Sequence, residues 1–322
     1  MFFFEVSQKY YIFALSKSQF NILIFEIMDT KTLNEQVAEV MNNKKTTTEQ
    51  KHISLVKLGL QRYEISLLLN IKPQRAPRPM TAMQLTFGVE IETYNVNREL
   101  MVSQAALNDL PIRYEGYNHH DSHDTFRFVS DGSISGINPI ECVTPILKGR
   151  DGFSALENAC KTLKEVGAKV NKSTGLHVHI GAAKLTVEQY INVFANYQML
   201  EAVIDTFMAN SRRANNNTYC QSLIGVNLTD CKTREDVWQA FDSSRYYKVN
   251  PESFSRHKTI EFRQHQGSTD YTKIKMWVTF CAKLVVWSMD NRMTAAISSI
   301  DDIPFLNKTE KAFFSRRKKQ LA

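Results

Sequence analysis

The chain has 322 residues, 43% hydrophobic and 23% charged, an ordinary globular composition with room for one large domain or a domain plus a small appendage. Its net charge of +7 suits nucleic acid and equally an anionic substrate such as a nucleotide, so charge alone does not choose between them. Five cysteines, an odd number without a C-x-x-C pair, exclude a disulfide framework or zinc site and point to reduced thiols in a cytoplasmic protein; no run approaches ~20 apolar residues, so neither a transmembrane helix nor a membrane partner is expected.

The opening MFFFEVSQKYYIFALSKSQFNILIFEIM is apolar and aromatic but broken by Glu5, Lys9, Lys17 and Glu26. It lacks a small-residue cleavage site, which argues against a signal peptide. More ordinary sequence begins at Met28, so residues 1–27 are expected to be an over-extended reading frame. Between Thr47 and Ile71 the apolar spacing predicts two helices broken at Gly59, resembling the first two helices of a helix-turn-helix. A groove-reading helix should follow, but KPQRAPRPMT carries Pro73, Pro77 and Pro79, which forbid one. Residues 28–72 are thus expected to be a helical, truncated helix-turn-helix-like appendage, with nucleic-acid contact as the alternative. Residues 73–82 read as a semi-rigid linker.

QLTFGVEIETY then alternates apolar and polar residues, the pattern of a strand with one greasy face. Glu90 and Glu92 share the polar face, with Gly88 leaving a gap beside them. The next polar stretch, GYNHHDSHDTF, holds His119, His120 and His123, spaced too tightly in a loop to fix a tetrahedral metal site. SDGSISGINPIECVTP carries Asp131 and Glu141. Phe153 to Val166 read as an amphipathic helix. GLHVHIG puts His177 and His179 on one strand face. A longer helix, capped by Thr186, carries Val187 to Phe207. Arg212 follows it, and Arg245 and Asn250 lie in SRYYKVN. TIEFRQHQGS alternates so that Glu261, Arg263 and His265 share a face. A third helix spans Ile274 to Val285, and FFSRRKKQ reads as a basic, solvated tail. Strands and helices do not alternate regularly, which favours an α+β fold with a largely antiparallel sheet.

A solvated strand face would favour Thr, Ser and Lys, whereas these faces carry Glu, His and Arg. If they form one surface, Glu90, Glu92, Glu141 and Glu261 converge and repel unless cations neutralise them. Oxygen-rich ligands with one or two imidazoles suit Mg2+ or Mn2+ rather than zinc. The planar fork of Arg263 suits phosphate, and metal plus arginine is equipment for stabilising a transferring phosphoryl group. No G-x-x-x-x-G-K-[ST] is present, so metals and side chains would hold the phosphates.

FGVEIE, SDGSI, IECVTP, GLHVHI and TIEFRQHQGS, in that order and spacing, resemble the amidoligase family of the glutamine synthetase and glutamate–cysteine ligase superfamily. The resemblance covers roughly residues 83–290 and leaves 291–322 as a C-terminal extension; with the helix-turn-helix-like start it looks like phage-borne or bacterial members. It implies a glutamine synthetase-like curved antiparallel sheet with packed helices, cradling ATP and two or more Mg2+ (or Mn2+) ions. It implies a carboxylate–amine ligase acting on small-molecule or peptide substrates, making an amide or isopeptide bond through an acyl phosphate and releasing ADP and phosphate. Glu90 and Glu92 resemble ligands to different metals and Glu141 a ligand to one of them. His177 and Glu261 resemble ligands to the metal that meets the γ-phosphate, with Glu261 and Arg263 catalytic. His179 resembles a histidine facing nucleotide or substrate, and Arg212, Arg245 and Asn250 are expected to face ATP. Asp131, His119 and His120 are expected to face the substrate. Two rival readings stay open: a metal-dependent hydrolase using the same surface, and a nucleic-acid-binding regulator whose ligase-like domain senses a ligand.

Overall fold

The alternating stretch around Glu90 becomes the middle strand of an eight-stranded sheet in the computed structural model, which describes residues 33, 35–60, 65, 68, 69, 80–116 and 124–322. The chain divides into two units, Met1–Pro79 and Met80–Ala322. In the first, helix α1 (Thr48–Lys57) starts at a capping box in which Thr47 and Gln50 satisfy each other's backbone N–H groups. It stops before Gly59, whose φ of +86° is open to glycine at little cost. Residues 1–27, most of the expected second helix and the proline stretch lie outside the described residues.

The second unit is a mixed α+β fold around a curved, unclosed, mostly antiparallel sheet. Its strands are β1 (Thr86–Thr93), β2 (Ile112–Tyr114), β3 (Phe126–Val129), β4 (Ile140–Val143), β5 (Leu147–Lys148), β6 (Gly175–Gly181), β7 (Val249–Asn250) and β8 (Thr259–Gln266). Their order is β2-β3-β4-β1-β6-β8-β7, with β5 also paired to β1; only β2 and β3 run parallel. Phe87, Val89, Ile91, Val178, Ile180, Ile260 and Phe262 form the apolar face. Against it pack α3 (Gly149–Glu165), α4 (Val187–Asp205) and α7 (Tyr271–Ser288), which complete one buried cluster through Leu156, Leu163, Phe194, Trp277 and Cys281. α2 (Arg98–Leu107) packs on α3, and the short α5 (Arg234–Ala240) and α6 (Ser253–His257) flank β7 in sequence. Thr186 caps α4 by accepting from the Gln189 N–H at 3.2 Å.

Two expectations are corrected here. Val178 pairs with Phe262, but Leu176 pairs with His265, so β8 carries one extra residue in a bulge. A bulge reverses the side-chain parity beyond it. His265 therefore leaves the face of Glu261 and Arg263 and lies with its ring 5.7 Å from Trp277, in the core. Burial lowers its pKa to about 3. The basic end, in turn, is a helix anchored in the core and not a free tail: Lys308–Leu321 forms helix α8, Phe314 is buried against Phe207 and Phe280, and Arg316, Lys318 and Lys319 stay exposed. No helix among the described residues is long and apolar enough to cross a membrane.

Candidate active site

The polar side of β4, β1, β6 and β8 gathers the ionisable groups by strand register. Glu92 lies opposite Glu141, Glu90 opposite His177, His179 opposite Glu261, and Asn250 of β7 opposite Glu261. Paired residues share a sheet face, so five strands deliver these side chains to one cavity of about 360 Å³.

Glu90 sits between the two histidines, with Oε2 2.9 Å from His177 Nδ1 and Oε1 3.2 Å from His179 Nε2. His177 Nε2 is 3.5 Å from Glu92 Oε1, and its Nδ1 is 3.7 Å from Glu261 Oε1. Glu92 Oε2 accepts the Gly175 N–H at 2.6 Å. Glu261 takes Arg263 Nη1 on one oxygen and Asn250 Nδ2, at 2.6 Å, on the other. Arg263 Nε also donates to the Tyr219 carbonyl at 3.3 Å.

Arg212, in the turn Asn210–Arg212 after α4, is almost wholly buried and donates to the Thr174 carbonyl at 2.8 Å, while its Nε lacks a hydrogen-bond partner. Arg245 is exposed at the rim. Asp131 accepts the Ser133 N–H at 2.7 Å and lines the same cavity. His119 and His120 lie outside the described residues.

The electrostatics follow from crowding. Burial, reinforced by Glu90, Glu92 and Asp131, pushes the Glu141 carboxyl well above the usual carboxylate range. Burial acts the same way on Glu90, but His179 and His177 outweigh it and hold Glu90 well below that range. Burial also opposes charge on Glu261, where Arg263 and His179 prevail and lower it. His179 is raised because Glu90 and Glu261 overcome its burial.

Three groups of donor atoms lie within 4.8 Å of one another: Glu90, His179 and Glu261; Glu90, Glu141 and His177; and Glu92, Asp131 and Glu141. Carboxylate and imidazole donors without sulfur fit a hard divalent cation. A buried carboxyl pushed up by burial and by three anionic neighbours fits the same demand. Asp131, expected to face substrate, lies beside two carboxylates, and His179, expected to face nucleotide or substrate, lies beside Glu90 and Glu261.

At Gly88 there is room for a methyl group. A Cβ there would meet His179 Cβ at 3.7 Å and Thr144 Oγ1 at 3.8 Å, ordinary contacts. The tight glycine is Gly175, where a Cβ would come within 2.9 Å of His177 Nε2 and 3.2 Å of Arg212 Nη2.

Sequence reasoning missed several supports. Ser253 Oγ and Thr259 Oγ1 lie 3.1 and 3.0 Å from His179 Nδ1 and fix that ring. Lys248, fully buried, pairs with Glu201 and Asp205 of α4, each at 2.7 Å. Glu201 inside the apolar stripe of α4 and Lys248 inside YYKVN were the available signals. Tyr219 and Tyr246 sit in loops without periodicity and gave none.

Residues 83–285 match the family described as "Putative amidoligase enzyme", and the chain belongs to that family. No curated protein matches the sequence. Among solved structures, a bifunctional glutathione synthetase from Pasteurella multocida is similar at a TM-score of 0.36 and 12% identity, over 75% of this chain. The chain spans 41% of that structure's length.

Proposed function

We propose that the protein is an ATP- and Mg2+-dependent (or Mn2+-dependent) carboxylate–amine ligase that condenses an acid and an amine through an acyl phosphate, releasing ADP and phosphate. The observation that carries this reading is the convergence of Glu90, Glu92, Glu141, Glu261, Asp131, His177 and His179 with the Arg263 guanidinium, bound to Glu261, in a single cavity. The three donor groups would hold divalent ions, which when bound supply positive charge to the triphosphate oxygens. Arg263 is held by Glu261 and the Tyr219 carbonyl, so its guanidinium is oriented before a phosphoryl group arrives. Asn250 fixes the second Glu261 oxygen. Arg212, anchored by one carbonyl and with its Nε unpaired, offers a buried cation to an anionic substrate group.

Purified protein given Mg-ATP and pools of acids and amines is expected to release ADP and phosphate only when both are present. Mass spectrometry should find a product equal to acid plus amine less one water. Turnover without ATP would indicate a hydrolase instead, and salt-sensitive DNA binding without ATP turnover a regulator.

A further inference from the structure

Beyond Arg263 the cavity rim changes character from acidic to aromatic and cationic. Tyr219, half-exposed, and Tyr246, partly buried, meet edge to face at 5.4 Å, and the Arg245 guanidinium lies 5.3 Å from the Tyr246 ring centre. All three line the cavity that holds Glu261 and Arg263.

Their backbone is fixed. The Gln221 N–H donates to the Tyr246 carbonyl at 2.7 Å, and the Lys248 N–H to the Gln221 carbonyl at 2.9 Å. The Tyr219 carbonyl is itself the acceptor for Arg263 Nε. Elsewhere the wall carries Asp131, Ser133 and Ser173, and the tyrosines among the described lining residues are Tyr219 and Tyr246.

We infer that Tyr219, Tyr246 and Arg245 form a platform for the nucleobase of the nucleotide, an inference that rests on the ligase reading above. A half-exposed ring at a cavity mouth keeps apolar surface in water, and a flat base covers it by stacking; a guanidinium at the neighbouring ring adds a cation–π contact. Whatever stacks on Tyr219 sits one main-chain hydrogen bond from the arginine aimed at phosphate. A nucleotide joins a flat base to phosphates through one ribose, so a single molecule can meet both. The wall of Ser133 and Ser173 is left to the acid and the amine.

Titration calorimetry with Mg2+ and each of ATP, ribose 5-triphosphate and inorganic tripolyphosphate separates the base from the phosphates. Wild-type protein should bind ATP more tightly than ribose 5-triphosphate by about 5- to 150-fold, the range for one stacked base. Tyr219→Ala and Tyr246→Ala should each erase most of that difference and leave tripolyphosphate affinity unchanged, because the Tyr219 carbonyl remains. Tyr219→Phe should retain it. Equal affinity of wild-type protein for ATP and ribose 5-triphosphate would overturn the platform even if the alanine variants failed to fold. Parallel losses for ATP and tripolyphosphate in folded variants would overturn it as well. Failure of wild-type protein to bind any of the three would overturn the ligase reading together with the platform, whereas the preceding outcomes remove the platform alone.

Discussion

Lys248→Met tests the polar support beneath the site. Lys248 is fully buried and its ammonium meets Glu201 Oε1 and Asp205 Oδ1, both at 2.7 Å. Methionine keeps much of the aliphatic volume and removes the charge, leaving two carboxylates without their cation. Breaking a buried ion pair from one side costs about 3–5 kcal/mol. Glu201 Oε2 would still accept the Leu223 N–H at 2.7 Å, and Asp205 would keep the Ala214 N–H at 2.7 Å and the Gln264 amide. Those bonds place the expected loss near the lower end, about 3 kcal/mol. In a unit spanning residues 80–322 that corresponds to a fall in Tm of about 6–12 °C. Adding Glu201→Gln should restore about 1–2 kcal/mol, since glutamine still accepts from Leu223 without a buried charge. Below its new Tm the variant should retain turnover, because the Arg263 N–H donates to the Lys248 main-chain carbonyl at 2.8 Å, not to its side chain. Thermal unfolding followed by circular dichroism reads both. A Tm within 2 °C of wild type for Lys248→Met would refute the reasoning, as would a double variant less stable than the single one.

Arg263→Ala should lower kcat by about 10²–10³-fold with the circular dichroism spectrum unchanged, the loss of one oriented donor to a transferring group. Gly175→Ala should lower kcat/KM by about 10- to 100-fold by displacing His177 and Arg212, whereas Gly88→Ala, with ordinary contacts only, should stay within about 3-fold of wild type. Glu141 and His179 both hold protons more tightly in the folded chain than their ordinary values allow. The stability that proton supplies is present below the unfolded values, about 4.3 for Glu and 6.5 for His, and is lost as pH rises through the folded ones. Metal-free protein should therefore lose Tm as pH rises in this window. Mg2+ should bind more tightly at higher pH and release protons. Calorimetry in two buffers of different ionisation heat measures that release, and a heat independent of buffer would refute it.

The site was legible where strand alternation carried it. Glu90 and Glu92, and His177 and His179, share a face because each pair is two residues apart on one strand, Glu261 joins them by pairing with His179, and the ordered motifs placed the chain in its family. His265 was misplaced because a bulge is an insertion in pairing, not in sequence; nothing in TIEFRQHQ marks where two residues of β6 meet three of β8. The proximity of Asp131 to Glu92 and Glu141 was not legible because it is set by tertiary folding and not by spacing along one strand. The FFSRRKKQ stretch was read by its charges, while its burial is decided by Phe314 finding Phe207 and Phe280, far away in the chain. Lys248 was hidden for a related reason: its partners are more than forty residues away.

The donor groups are strung along neighbouring strands and share members. Glu90 belongs to two of the three groups, and so does Glu141. Adjacent strands lie about 4.8 Å apart in any sheet, so the main chain acts as a ruler for these positions. Side-chain substitutions can alter how strongly each position attracts a cation, but the pitch between positions belongs to the hydrogen-bond ladder. A chain that keeps this ladder can change its rim loops without resetting the pitch of the donor row.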